Sequence, residues 1–230
     1  MIDPLRHMSI FSPDLFENRP VNIIGAGATG SNVAMQIAKL GVQNIHVWDF
    51  DTVERHNIAN QIYGNKDVGL PKVVALSNRI LEDTGTEIHA YNEKFVDQEL
   101  RGVVFLLTDT MSSRKEIWEN SIRYKLNTEL MVETRMGAEL GRIYTINPSQ
   151  YEDVNFWEQT LTLDENTEES LCGATTTVGS TATLVASLAV WQFIYWFRMN
   201  HMNDMEIDIR RENIICLRPL MIQQSTDVSV

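Results

Sequence analysis

With 230 residues, 43% of them hydrophobic, the chain has the apolar content of one α/β domain with a large core. A formal charge of −12 argues against a nucleic-acid partner and against an anionic membrane surface. The 2 cysteines, Cys172 and Cys216, exclude a disulfide framework and a four-cysteine zinc site, and free thiols fit a reducing compartment such as the cytoplasm.

Residues 1–20 contain three prolines and few periodic apolar positions; they read as an arm with one short helix, laid on the domain and too polar to be core. Its opening, MIDPLRHMSIF, lacks the charged-then-apolar form of a signal peptide. Residues 21–230 read as a single domain. Val21 to Ile24 is an apolar run of the length of a buried parallel strand. Gly25, Gly27 and Gly30 follow with G-x-G-x-x-G spacing, and residues 31–40 have the period of an amphipathic helix. The first glycine allows a tight turn, the second lets backbone approach a phosphate, and the third lets helix pack on strand. The unpaired N–H groups of the new helix then face an anion. A second apolar run, IHVW, ends in Asp49, about where a ribose-binding acid is expected. Strand, glycine turn, helix, strand and acid together mark a nucleotide site.

Residues 50–72 are rich in Asn, Asp and Gly without a clean period, and they start at the strand end where doubly wound sheets bind ligands. Pro71 can open the next helix, KVVALSNRIL, with Lys72 in its first turn and Gly85 breaking the pattern. EIHAYNEKF reads as a strand and VDQELRG as a turn with a short helix. VVFLLTD is another buried strand ending in an acid, Asp109, followed by a helix with Ser or Thr at its start. Residues 128–137 and 141–148 read as strands antiparallel to one another. The polar, acidic stretch 149–170 reads as a mobile loop or lid. The run from Val178 to Met199 is long and apolar enough to raise a membrane span, but its Ser, Thr and Gln residues and its lack of basic flanks favour a core helix. The last alternating runs read as a hairpin turning around Arg211, Glu212 and Asn213.

The runs GAGATGS, VWDFDTVERHN, NQ, DVGLPK and LLTDTMSSR, with CGATTTVGSTATLVASLAV later, resemble the ThiF/MoeB superfamily, bacterial relatives of ubiquitin-activating enzymes. The resemblance extends from about Val21 to the closing hairpin, and weakly from Arg6. It implies a Rossmann-like mixed sheet, parallel in its N-terminal half and antiparallel in its C-terminal half, with helices on both faces. It also implies ATP-dependent adenylation of a carboxylate, such as the C-terminal glycine of a ubiquitin-like protein or a peptide, with Mg2+ and a homodimer. By that resemblance Gly25, Gly27, Gly30, Asp51 and Gln61 belong to the nucleotide site, Asp49 holds the ribose, Asn57 lies near the α-phosphate and Lys72 binds phosphate. Asp109 is associated with magnesium and the reacting phosphate, Cys172 carries an acyl or sulfur adduct, and Arg6 reaches into the partner subunit's site. Cys172 also has a plain reading as a packing cysteine at a tight turn, since a helix dipole would stabilise its thiolate while nearby glutamates oppose it. Cys216, in an alternating apolar strand, reads as a small buried hydrophobe.

Three departures from the family pattern stand out, one of them a segment between Asn57 and Lys72 that is one residue shorter than the family's. Asn60 occupies the position of the usual arginine before the glutamine, so one positive phosphate contact is missing or is supplied by Arg55 or Arg114. The paired-cysteine zinc motifs are absent, so no zinc is expected. Two other readings stay open. A nucleotide-binding pseudoenzyme subunit of a heterodimer accounts for Asn60. An NAD-dependent oxidoreductase uses the glycines and Asp49 but leaves Lys72 and Asp109 idle.

Overall fold

The computed structural model describes residues 2–162 and 176–224. Eight strands form one sheet in the order β3-β2-β1-β4-β5-β6-β7-β8. Strands β1 (Val21–Ile24), β2 (Ile45–Trp48), β3 (His89–Tyr91), β4 (Gly102–Leu106) and β5 (Thr128–Met136) are parallel. Strands β6 (Leu140–Ile146), β7 (Glu212–Leu217) and β8 (Leu220–Gln224) continue the sheet antiparallel. The expected parallel and antiparallel halves are therefore both present. The order reverses at β1, with β2 on one side and β4 on the other, and this opens a crevice at their carboxyl ends.

Alternation along the strands feeds two cores. Val21, Ile23, Val47, Val103, Phe105 and Val132 face the helices α2 (Ala28–Lys39), α3 (Lys72–Thr84) and α6 (Gly179–His201). Ile24, Trp48, Val104, Leu106 and Met131 face α4 (Met111–Ile117) and α5 (Tyr151–Gln159). Helix α6 is long and apolar enough to cross a membrane, but 61% of its most apolar window is buried and it packs on α2, β5 and β6, as a core helix does.

Several expectations change in the structure. Helix α2 begins at Ala28, inside the glycine turn, so Gly30 lies in its first turn. The arm is part of the core: Phe11 and Phe16 are fully buried, with ring centroids 4.5 Å (Phe11–Phe197) and 5.3 Å (Phe16–Phe193) from α6. Its short helix α1 (Pro13–Phe16) is capped by Ser12. No helix forms over residues 96–101. The first part of the expected lid is helix α5, which buries Val154 and Trp157 one turn apart; its polar composition masked those two anchors. The rest of that stretch, from residue 163, lies outside the described residues. The closing hairpin turns at Arg218 and Pro219 rather than around Arg211, because Glu212 is already the first residue of β7, paired with Tyr144.

Candidate active site

The crevice at the ends of β1, β2 and β4 is a cavity of about 650 Å³. Its floor is the glycine turn. Gly25 has φ +101° and its N–H donates to the Trp48 carbonyl at 2.8 Å, joining the turn to β2. A Cβ on Gly30 would lie 1.9 Å from the Gly25 carbonyl oxygen, so only glycine allows this approach of helix to strand. A Cβ on Gly27 would meet nothing within 4 Å, because Gly27 faces the open cavity. Gly27 is the N-cap of α2 and provides no side-chain cap.

Asp49, just past β2, ties the turn to the following loop. Its Oδ2 accepts the Ala26 N–H at 2.7 Å and its Oδ1 accepts the Asp51 N–H at 2.8 Å. Burial pushes the Asp49 carboxyl above its ordinary range, against the pull of the Ala26 N–H and of Lys72. Protonated Asp49 is therefore favoured more in the fold than in the unfolded chain. Its contribution to stability is full below the ordinary carboxylate value and is lost as pH rises through the raised folded value. Asp49→Asn, which cannot ionise, is expected to remove this dependence, so the wild type loses thermal stability relative to the variant as pH rises above the ordinary carboxylate range of about 4. Parallel melting curves across that rise would mean that Asp49 titrates alike folded and unfolded.

The loop from Asp51 to Lys72 closes on itself. The Lys72 N–H donates to the Asp51 carbonyl at 2.9 Å, and the buried Lys72 Nζ pairs with the half-exposed Asp51 carboxylate at 2.7 Å. A buried ammonium needs such a partner. Asn57 is buried, and its Oδ1 accepts the Glu54 N–H at 2.8 Å, fixing the 3₁₀ turn Arg55–Ala59. Gln61 and Asn60 also line the cavity. Asn60 Nδ2 donates to Thr177 Oγ1, just before α6, so the residue at the arginine position is tied to protein. Three buried cavity oxygens, Asn60 Oδ1 and Gln61 Oε1 here and Thr108 Oγ1 just past β4, have no hydrogen-bond partner among the described residues. Thr108 had no signal in the sequence beyond its place one residue before Asp109.

The opposite wall follows β4. Asp109 is exposed and lines the cavity. Of the two arginines considered as substitutes for the missing charge, Arg55 is exposed and outside the cavity lining, whereas Arg114 is buried within it. Arg114 donates to the carbonyls of Asp109 and Thr134, both at 3.3 Å, and its Nε lies 2.9 Å from Glu133. Glu133 is fully buried and also pairs with Arg135 at 3.0 Å and accepts from Trp157 Nε1 at 3.2 Å, so the two guanidiniums share one carboxylate. An apolar slot of Trp48, Phe95 and Ile117 completes the cavity, with the Trp48 and Phe95 rings 5.4 Å apart and edge-on.

The structure thus brings Gly25, Gly27, Asp49, Asp51, Asn57, Gln61, Lys72 and Asp109 to one cavity, with Gly30 directly behind the turn. It does not bring Arg6 there. Arg6 is exposed, and its neighbour His7 has Nε2 3.2 Å from the Leu40 carbonyl, at the far end of α2 and about 18 Å from the turn. Cys172 lies outside the described residues. Cys216 is half-buried, with its Sγ 3.4 Å from the Arg218 carbonyl, rather than fully buried as expected, because β7 has only the outermost strand β8 on its far side.

The sequence from residue 13 to residue 213 matches the model of the ThiF family. The chain belongs to the ThiF family. This ThiF-family chain is 26% identical over 186 residues to the sulfur carrier protein ThiS adenylyltransferase of Escherichia coli, covering 76% of the chain and 70% of that protein. It is 28% identical over 130 residues to the NEDD8-activating enzyme E1 catalytic subunit of Arabidopsis thaliana, covering 49% and 29%. Its fold is that of PaaA (TM-score 0.71, 15% identity, 93% of this chain and 65% of that one). It is also that of E. coli MccB crystallised with AMPCPP and MccA (TM-score 0.68, 14% identity, 94% and 67%). The chain spans less than two thirds of the plant enzyme and of PaaA.

Proposed function

We propose that this ThiF-family chain adenylates a carboxylate at the expense of ATP. The observation that carries the reading is the convergence of an open glycine turn, Asp49, Lys72 and Asp109 on one cavity at the switch point of the sheet. A carboxylate oxygen attacks the α-phosphorus, a new acyl–phosphate bond forms, and the bond to pyrophosphate breaks. Both reactants are anions, so the barrier is largely electrostatic. Asp49 orients the ribose hydroxyls, the apolar slot at Trp48 and Phe95 takes the base, and the N–H groups of the turn face phosphate. Asn57 and Gln61 stand beside the α-phosphate. Lys72 exchanges its Asp51 partner for a phosphate oxygen, and buried Arg114, on the opposite wall, adds positive charge that offsets the loss of the family arginine at Asn60.

Mg2+ suits this wall. No three described His, Cys, Asp or Glu side chains cluster to hold a metal unaided, and Mg2+ asks for less: one or two carboxylates plus substrate phosphates. Asp109 is an exposed carboxylate on the cavity wall that would hold it. When bound, the ion neutralises charge on the departing pyrophosphate. Three further roles belong to the same reading. The acyl group comes from a small ubiquitin-like protein or a peptide, the Cys172 thiolate attacks the acyl carbon of the adenylate to form a thioester as the acyl–phosphate bond breaks and AMP leaves, and Arg6 of a second copy completes the site of a cytoplasmic homodimer.

ATP with Mg2+ is expected to raise the melting temperature while NAD does not, and ATP–pyrophosphate exchange is expected with small proteins ending in glycine. Stabilisation by NAD alone would overturn the reading. Mixing Arg6→Ala with Lys72→Ala chains is expected to restore about one working site per mixed dimer, and no rescue in verified mixed dimers would remove Arg6 from the site. Asn60 favours one second reading, a nucleotide-binding subunit without chemistry of its own. It would bind ATP and show no exchange with any carboxylate.

A further inference from the structure

Tyr63 sits two residues beyond Gln61, in the segment that folds back under the first turn of α2. It is 4% exposed. The Ile62 N–H reaches Ser31 Oγ at 3.5 Å, and the Tyr63 hydroxyl donates to the Ala26 carbonyl at 2.8 Å. Burial, with Asp49, Asp67 and Asp51 nearby, raises the phenol's pKa, so it remains a donor.

The Ala26 carbonyl and the Gly27 N–H belong to one planar trans peptide and point in opposite directions. Holding the carbonyl against Tyr63, inside the core, directs the Gly27 N–H away from it. Gly27 borders open cavity, and its N–H donates to no acceptor among the described residues. Asp49 holds the N–H of the same Ala26 at 2.7 Å, so residue 26 is clamped on both of its polar groups. Gly27, on one side of this peptide, offers little steric resistance to its rotation. A rotated plane would present a carbonyl oxygen to an anion.

We infer that Tyr63 is a positioning residue for phosphate, fixing the Ala26–Gly27 peptide so that the Gly27 N–H meets a phosphate oxygen of the bound nucleotide. The inference rests on the nucleotide reading above and adds a residue to it. A tyrosine that only fills the core would affect every ligand alike. One that presents an N–H to phosphate affects only ligands that carry phosphate.

Calorimetric titration of wild type and Tyr63→Phe with adenosine, AMP and ATP–Mg2+ separates these cases. Loss of the hydroxyl is expected to weaken AMP and ATP about tenfold and to leave adenosine unchanged. In 15N-labelled wild type, the Gly27 amide proton is expected to move downfield with AMP and to stay in place with adenosine. Equal weakening of adenosine and AMP, or no weakening of either, would overturn the inference while leaving the nucleotide site intact. If Tyr63→Phe does not fold, the wild-type amide shift decides alone, and its absence overturns the inference. A wild type that binds neither adenosine nor ATP overturns the nucleotide reading and this inference with it.

Discussion

Asp109→Ala is expected to lower ATP–pyrophosphate exchange at least a hundredfold while moving the melting temperature by no more than a degree or two, an exposed-site effect of about 0.5 kcal/mol. The separation follows from where Asp109 stands. Its side chain is exposed, while the backbone carbonyl, which the substitution keeps, is the group that receives Arg114 at 3.3 Å. The start of α4 does not need its carboxylate, because Thr110 Oγ1 accepts the Ser113 N–H at 3.2 Å. What is removed is the exposed carboxylate on the β4 side of the cavity, the side that carries Arg114 and faces Lys72. Under the adenylation reading this removes the carboxylate that would hold a divalent cation against the pyrophosphate; Glu116, which also lines the cavity, is paired with Lys94 at 2.9 Å. Exchange assays beside thermal unfolding of the same preparation measure both effects. Full exchange activity in the variant would remove Asp109 from the chemistry.

Two alanine substitutions three residues apart are expected to have opposite effects. Gly30→Ala is expected to destabilise the fold by about 3 kcal/mol, lowering the melting temperature by about 10 °C. The added Cβ would stand 1.9 Å from the Gly25 carbonyl oxygen and 2.9 Å from its carbon. Both are backbone atoms of a turn held to Trp48, so neither can swing aside, and α2 has to retreat from β1. Gly27→Ala places its Cβ in open space and is expected to melt like wild type. Its methyl group occupies room that a phosphate would use, so ATP affinity is expected to fall. Melting curves with and without ATP–Mg2+ read both results. Equal loss of stability in the two variants would show that the turn, not the close contact, limits the fold.

The parallel half was legible because each of its main strands carries its whole signal locally. Val21–Ile24, Ile45–Trp48 and Gly102–Leu106 are short apolar runs, and the glycines, Asp49 and Asp109 follow at the strand ends where a switch-point cavity needs them. The features that were not legible depend on distant partners or on sparse anchors. Asn60 could be seen as a departure, but its tie to Thr177 spans 117 residues. Glu133 is a carboxylate in the middle of a buried strand, and only the fold reveals that Arg114 and Arg135 converge on it. Helix α5 rests on two buried side chains in an acidic segment, and its composition reads as loop. Tyr63 looked like part of an irregular polar stretch because its one polar contact is to a carbonyl 37 residues earlier.

The position of α6 in the chain bears on how the protein is made. Leu130, Val132, Ile143 and the flank of α2 share a core with Val185, Ala186, Ala189 and Phe193, all on α6. A nascent chain that already contains the glycine turn, Lys72 and Asp109 therefore still exposes that apolar surface to solvent. Long-range closure of this kind is slow, and the waiting surface is prone to self-association. The loops that line the cavity are synthesised well before the helix that seals the layer behind them, so chains arrested before residue 179 are expected to bind chaperones and to aggregate.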